Sequence, residues 1–139
     1  MSTIENSSDN LLGRPPLVHE ALTNQIISAA ISVHRELGPG LLESAYQACL
    51  CHELALRHIP FETEVALPIP YKGVRLDCGY RMDLVVNRSV ALELKSLEKI
   101  LPLHHAQLMT YLRLSGLRVG LLINFNVELL RQGIIRRII

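Results

Sequence analysis

The sequence predicts an α/β domain in which helices flank a mixed β-sheet. Two helical segments come first, a group of strands follows, and a third helix leads to a continuous apolar strand. A helix that connects two strands of one sheet makes them parallel, whereas a short turn makes them antiparallel. Both kinds of connection occur along these 139 residues, which is the length of one domain with a real core.

The N-terminal part contains a tail and two helices. Residues 1–16 are polar and predict a flexible tail, and residues 17–139 predict the single folded domain. Apolar residues follow helical spacing over about Val18–Leu37, and the breaker residues Gly38–Gly40 end that helix. A second helix is predicted from position 41 or 42 to about His58, just before a proline.

Glu43 lies on the same stripe of the second helix as Tyr46, Leu50 and Leu54. This spacing predicts a carboxylate along an apolar face instead of in open water, which favours a functional role. An acidic residue in a first helical turn is also stabilised by the helix dipole without any further role. Both interpretations of Glu43 stay open.

Strand-like runs follow the helices. Phe61–Ile69 alternates apolar and polar residues and meets two prolines at its end, which predicts an edge strand. Another strand is predicted to begin at Val74, after a turn, and to continue through Cys78 into a central hairpin.

The central hairpin consists of YRMDLVV and VALELK, joined by Asn87–Ser89. If Val86 pairs with Val90, Asp83 stands opposite Glu93. Alternation then predicts one core face, made of Tyr80, Met82, Leu84, Val86, Val90, Leu92 and Leu94. The other face carries the charged residues Arg81, Asp83, Glu93 and Lys95.

Asp83 and Glu93 would present like charges directly across the hairpin, which destabilises a sheet. Two carboxylates from adjacent strands suit Mg²⁺ or Mn²⁺, hard cations that take few protein ligands and bind water and substrate phosphate as well. Lys95, two residues beyond Glu93 on the same face, can reach the same spot. The alternative is a solvated face on which Lys95 neutralises Glu93 as an ordinary surface pair.

A third helix is predicted from about Leu103 to Ser115, and two strands follow it. One stripe of this helix carries the polar residues His104, Gln107 and Tyr111. The neighbouring stripe is predicted to pack on the sheet and consists of Leu103, Ala106, Thr110 and Leu114. The apolar run Arg118–Phe125 predicts a central strand parallel to VALELK, and the final run GIIRRII predicts an edge strand.

Composition excludes several classes of protein. The net charge of +1 provides no global attraction for nucleic acid, so any phosphate binding must come from a local patch. The sequence has neither a signal-peptide pattern nor an apolar run of the ~20 residues that span a membrane. With three cysteines and no C-x-x-C spacing, this predicts a cytoplasmic protein with reduced thiols. The apolar fraction of 49% predicts a subunit contact, and hence a homodimer.

Several motifs together resemble a known family. The segment Gly40–Tyr46, GLLESAY, matches the signature for which the GxxExxY family is named. Asp83 followed by Glu93-Leu94-Lys95 resembles the PD-(D/E)xK nuclease core, although Met82 stands where that superfamily has a proline. The resemblance extends to HRELGPGLLES, AQLMTYL and VGLLINFN. It implies the restriction-endonuclease-like fold with an αβββαβ core, in agreement with the order of elements above.

The resemblance also implies a metal site and a catalytic lysine. Asp83 and Glu93 correspond to ligands of a divalent metal, usually Mg²⁺, with the Leu94 carbonyl as a third ligand. Glu43 corresponds to the acidic residue that the first core helix contributes. Lys95 corresponds to the residue that positions or activates the attacking water and stabilises charge on the scissile phosphate.

Four further residues are expected to contact substrate. Gln107 and Tyr111 resemble the Q-x-x-x-Y feature of RecB-like exonucleases, which orients substrate or catalytic residues, and Tyr46 and Arg81 complete the set. The implied function is metal-dependent hydrolysis of phosphodiester bonds in nucleic acid, in the first instance DNA. The alternative is a non-catalytic module with the nuclease fold that binds nucleic acid or a protein partner.

Overall fold

A computed structural model describes residues 17–139, so the predicted tail at residues 1–16 lies outside the described residues. The helices in this part of the chain are α1 (Glu20–Leu37), α2 (Glu43–Leu56) and α3 (Pro102–Ser115). The strands are β1 (Phe61–Ala66), β2 (Ile69–Tyr71), β3 (Val74–Leu76), β4 (Arg81–Val86), β5 (Val90–Lys95), β6 (Val119–Asn124) and β7 (Ile134–Ile138). A short 3₁₀ helix, Leu130–Gly133, precedes β7.

Five strands form one mixed sheet in the order β1-β4-β5-β6-β7. The β5–β6 pair is parallel because α3 connects the two strands, and the other three pairs are antiparallel. The strands β1 and β7 form the two edges, as predicted, and β6 lies inside the sheet. The mixed α/β architecture predicted from the sequence is therefore confirmed, and it is consistent with a restriction-endonuclease-like fold.

The sheet is covered on both faces. On one face, Leu84, Leu92 and Leu121 are buried together with the apolar side of α1 and α2. On the other face, Val85 and Leu122 are buried against α3. The face of the hairpin that carries Asp83 and Glu93 is thus packed under a helix, and the alternative of a solvated sheet face is wrong.

Four details of the predicted fold are also wrong. Tyr80 is 48% exposed and lies outside the core, and Met82 is buried in the α3 cluster instead of the cluster that contains Leu84. The strand that begins at Val74 stops at Leu76 and pairs with β2 as a separate hairpin. Asp77 Oδ1 accepts the Gly79 N–H at 2.9 Å, and this side-chain turn ends the strand before β4.

The fourth error concerns the rotation of α3. Its buried residues are Leu108 and Leu112, which pack on the sheet. Gly120 permits this approach, because a Cβ at that position would lie 2.7 Å from Leu108 Cδ1. The stripe predicted to pack on the sheet, which begins at the 62% exposed Leu103, therefore points elsewhere. Within residues 17–139, no helix combines the length and apolar character that a membrane span requires.

Candidate active site

The β4–β5 hairpin brings Asp83 and Glu93 together. The register follows the predicted one for three pairs, from Val86–Val90 to Leu84–Leu92. At the next position the two carboxylates accept hydrogen bonds from backbone N–H groups of the opposite strand. The Asp83 N–H donates to Glu93 Oε2 at 3.1 Å, and the Leu94 N–H donates to Asp83 Oδ2 at 2.8 Å. Each acidic residue therefore binds the backbone of the opposite strand.

Burial makes this acidic pair costly to ionise. Glu93 is only 8% exposed, and desolvation together with the charge of Asp83 raises the pKa of Glu93 to about 8. Desolvation also raises the pKa of Asp83, although the Leu94 N–H opposes the shift. A carboxyl pair that is this costly to ionise near neutral pH is typical of a functional site.

Glu64 is an acidic residue that sequence reasoning missed. The β1–β4 register pairs Thr63 with Leu84 and Val65 with Met82, so Glu64 lies at the level of Asp83. Its charge contributes to the raised pKa of both Asp83 and Glu93. Glu64 also has a φ of 49°, and its Oε2 accepts a hydrogen bond from Gln47 at 3.0 Å. The alternation of FETEVAL breaks at Glu64, since Phe61 packs in the cluster with Leu84 whereas Val65 packs in the α3 cluster, so the sequence pattern predicts neither the face of Glu64 nor its register against β4.

Glu43 reaches the end of β5 from the first turn of α2. Its Oε2 accepts the Ser96 N–H at 3.3 Å, and its charge contributes to the raised pKa of Asp83. The prediction that Glu43 lies along an apolar face is wrong, because the residue is exposed. Because α2 begins at Glu43, the side chain lies in the first turn of the helix and reaches the backbone just after β5.

Lys95 is half-buried at the last position of β5. Its charge lowers the pKa of both Asp83 and Glu93, so the ammonium group stands close enough to stabilise the ionised pair. No salt bridge ties Lys95 to a carboxylate among residues 17–139. Its ammonium group is therefore available to a further anionic group at this site.

Asn124 fixes the backbone just beyond Lys95, and sequence reasoning missed it. Its amide donates to the Leu97 carbonyl at 2.9 Å and accepts the Leu97 N–H at 3.0 Å. Asn124 is only 3% exposed and is paired with Lys95 in the β5–β6 register. The signal in the sequence was an amide at the end of the otherwise apolar run VGLLINF.

We expect Asn124→Ala to destabilise the protein by about 2 kcal/mol, because it leaves a part-buried N–H and carbonyl of Leu97 without partners. Urea unfolding measures the difference as a lower midpoint at an unchanged slope. The neighbouring variant Asn126→Ala is the control and should change stability by less than ~0.5 kcal/mol. Equal stability of Asn124→Ala and the wild type would contradict the anchoring role.

Tyr46 has a structural place instead of the predicted substrate contact. Its side chain is fully buried, and its ring stacks on Phe125 with centroids 4.4 Å apart. Its hydroxyl donates to the Gly38 carbonyl and accepts the Leu41 N–H at 3.2 Å. Because the residue has no accessible surface, Tyr46 fixes the loop between α1 and α2 and presents nothing to a substrate.

Of the remaining predicted residues, Tyr111 lies beside the acidic pair, whereas Gln107 and Arg81 have no contact with it in the part of the chain that the structure describes. Tyr111 is half-buried, and desolvation together with the charge of Glu93 raises its pKa, so its ring lies near that carboxylate. Gln107 is exposed one turn earlier on α3. Arg81 pairs with Asp77 at 3.1 Å.

Leu94 contacts Asp83 through its N–H, and its side chain is in the core. The role of the Leu94 carbonyl as a metal ligand stays a prediction.

The two carboxylates suit a divalent cation by their donor chemistry. Asp83 and Glu93 each use one oxygen for a backbone N–H, and the second oxygens accept no hydrogen bond from residues 17–139. Mg²⁺ is commonly held by one or two carboxylates, with water and phosphate oxygens completing its shell. In the same part of the chain, no group of three or more His, Cys, Asp or Glu residues is arranged to hold a metal ion. A cation would therefore rest on the pair alone or draw in Glu43 or Glu64 by movement of their exposed side chains.

Comparison with models of protein families finds a match to the PD-(D/E)XK nuclease superfamily over residues 20–138. This range covers the two N-terminal helices, the whole sheet and α3. No curated protein and no solved structure matches the chain.

Proposed function

The chain belongs to the PD-(D/E)XK nuclease superfamily, and from this premise we propose that it is a metal-dependent nuclease that hydrolyses phosphodiester bonds of nucleic acid, in the first instance DNA. The observation that carries the proposal is the contact of half-buried Asp83 with buried Glu93 across the hairpin, where each carboxylate accepts a backbone N–H of the opposite strand and desolvation raises the pKa of both. Two facing carboxylates under a helix cost stability through burial and repulsion, which favours a role beyond a structural one.

The proposed roles follow from these positions. Asp83 and Glu93 hold Mg²⁺ or Mn²⁺, with the Leu94 carbonyl and Glu43 as further ligands. When bound, the cation neutralises the pair, lowers the pKa of water and stabilises charge on a phosphoryl group under attack. Lys95 holds a phosphate oxygen or orients the attacking water through its ammonium group. Gln107 and Tyr111 orient the substrate from α3.

A second candidate is a non-catalytic module that keeps the nuclease fold and binds nucleic acid or a protein. Two observations favour it: Asp83 and Glu93 already bind backbone N–H groups, and no third carboxylate completes a site within residues 17–139. In that case the carboxylates serve only as hydrogen-bond acceptors that join β4 to β5. The two candidates differ in whether the pair binds a cation.

Calorimetric titration with Mn²⁺ and Mg²⁺ tests the metal site directly, without a choice of substrate. We expect saturable binding to the wild type that Asp83→Ala abolishes, since one of two carboxylate ligands is lost. Because the pKa of Glu93 is about 8, a proton competes with the metal ion at lower pH. The apparent affinity for the metal ion should therefore rise as the pH increases toward 8. Glu36→Ala, which removes an exposed carboxylate on α1, is the control and should bind as the wild type does.

A parallel titration with a short DNA duplex separates the two candidates. Binding that requires DNA means that substrate phosphate completes the coordination shell, which retains the nuclease. Absence of binding with and without DNA favours the non-catalytic module.

Three finer assignments belong to the same proposal. We assign the chain to the GxxExxY group on the strength of Gly40, Glu43 and Tyr46. We also infer a cytoplasmic homodimer, in which two sites related by a twofold axis address the two strands of a duplex. Gel filtration at several protein concentrations measures the oligomeric state, and a monomer throughout contradicts the dimer.

A further inference from the structure

A groove lies beside the acidic pair and is lined mostly by apolar side chains. Its volume is about 480 Å³, which falls in the range of small-molecule sites. One wall is the outer stripe of α3, the stripe that the sequence predicted to pack on the sheet. The other wall comes from the segment between β2 and β4, and the residues that shape the groove include Ile69, Cys78, Tyr80, Leu103, Gln107 and Tyr111.

Two tyrosines in contact with each other line the groove. Tyr80 and Tyr111 form an edge-to-face pair with ring centroids 6.3 Å apart. Tyr111 lines the groove and packs against the cluster that contains Met82, the neighbour of Asp83, so this residue borders both the groove and the acidic pair. Tyr80 is held in orientation by its partner ring, yet 48% of its surface remains accessible. A planar ligand can stack on it at a low cost in side-chain entropy.

The rim of the groove carries positive groups. Arg113 donates to Thr110 Oγ1, a lining residue, at 2.9 Å, and Arg81 donates to the Tyr80 carbonyl at 2.9 Å. Asp77 balances the charge of Arg81, whereas Arg113 makes no salt bridge among residues 17–139. An occupant with a flat apolar ring and an adjoining negative group therefore fits the groove better than an apolar peptide does.

We propose that this groove takes an unpaired nucleobase next to the scissile phosphate, with the base stacked on Tyr80, so that single-stranded nucleic acid is the preferred substrate. The proposal rests on the proposed nuclease function. A base within a duplex is stacked on its neighbours and cannot enter, whereas every unpaired base offers a flat face. Stacking of this kind depends little on base identity, so the groove selects for strandedness and not for sequence.

Fluorescence anisotropy tests the proposal with a labelled 12-nucleotide thymidine strand and a hairpin duplex of equal phosphate count. The measurements use the Lys95→Ala background with Mg²⁺ so that the strand stays intact, which gel analysis verifies. We expect Tyr80→Ala to weaken binding of the single strand by about 5- to 100-fold and to leave duplex binding unchanged. Tyr80→Phe keeps the ring and should bind within about twofold of its parent.

Two controls make the result specific to the groove. Tyr71→Ala removes another exposed tyrosine, outside the groove, and should bind the single strand as its parent does. An abasic site moved along the strand should weaken binding at one position, and Tyr80→Ala should be insensitive at that position. Equal losses for strand and duplex, no loss for either, or no binding of any oligonucleotide overturns the proposal, the last pointing to a peptide or a second copy as occupant.

Cleavage by the protein with Lys95 present separates this proposal from the nuclease function. If Mg²⁺-dependent cleavage is equal for strand and duplex and Tyr80→Ala does not change it, the groove proposal is refuted and the nuclease function is retained. If binding of the strand depends on Tyr80 but no metal ion supports cleavage, the groove proposal is retained and the nuclease function is refuted.

Discussion

Lys95→Ala should lower the rate of Mg²⁺-dependent phosphodiester cleavage at least ~10²-fold while leaving the fold intact, because it removes a preorganised positive group from the site of developing negative charge. Lys95 is half-buried at the end of β5, and its charge already stabilises the ionised forms of Asp83 and Glu93. Single-turnover cleavage of a labelled oligonucleotide measures the effect on the chemical step. Thermal unfolding in parallel should give a midpoint close to that of the wild type.

Lys72→Ala is the matched control for this experiment. Lys72 is an exposed lysine in the β2–β3 turn, where its ammonium lies 5.4 Å from the centroid of the Tyr71 ring. We expect its cleavage rate to equal that of the wild type. Wild-type turnover in Lys95→Ala would remove Lys95 from the mechanism, and an equal loss in both variants would point to a general effect of charge.

The single substitution Glu93→Gln should both stabilise the metal-free protein and abolish cleavage of nucleic acid. Between the ordinary pKa of a glutamate, near 4.5, and about 8, the native state holds a proton that the unfolded state has released. The free energy of unfolding of the wild type therefore falls as the pH rises through this window and is flat above it. Glutamine carries no charge, and its oxygen can still accept the Asp83 N–H.

The gain at pH 9 should amount to about 2–4 kcal/mol, since one pKa unit corresponds to ~1.4 kcal/mol and part of the repulsion is relieved by relaxation. Unfolding by urea in the presence of a chelator, at several pH values, measures it. The two proteins should converge near pH 4, where Glu93 is protonated in both states. Glu62→Gln, at an exposed position of β1, should follow the wild type at every pH. A constant difference between Glu93→Gln and the wild type from pH 4 to pH 9 would rule out titration as the cause.

The sequence predicted the parts of this site that local geometry decides. A three-residue loop with Val86 opposite Val90 determines the hairpin register, so the approach of Asp83 to Glu93 followed from counting. Helix spacing likewise predicted the burial of Leu50 and Leu54 on α2. In both cases the position of the side chain depends on a single turn or a single helix.

The sequence could not predict what depends on contacts between distant elements. The register of β1 against β4, which brings Glu64 level with Asp83, is not set by a short loop. The rotation of α3 depends on which of two apolar stripes packs better, and Gly120 on β6 favours the one with Leu108 and Leu112. That choice leaves the other stripe to line the groove.

The loop between α1 and α2 accounts for each letter of the GxxExxY signature. Gly40 has a φ of 99°, a conformation that side chains rarely adopt, Glu43 accepts the Ser96 N–H, and the Tyr46 hydroxyl binds both ends of the loop. The signature therefore describes how two helices are joined and attached to a strand. A sequence search based on it would group chains by this junction, and of its three residues only Glu43 also belongs to the proposed metal site. A homologue that had lost Lys95 would still score as a full member, so the lysine, and not the signature, is what a genome annotator should inspect.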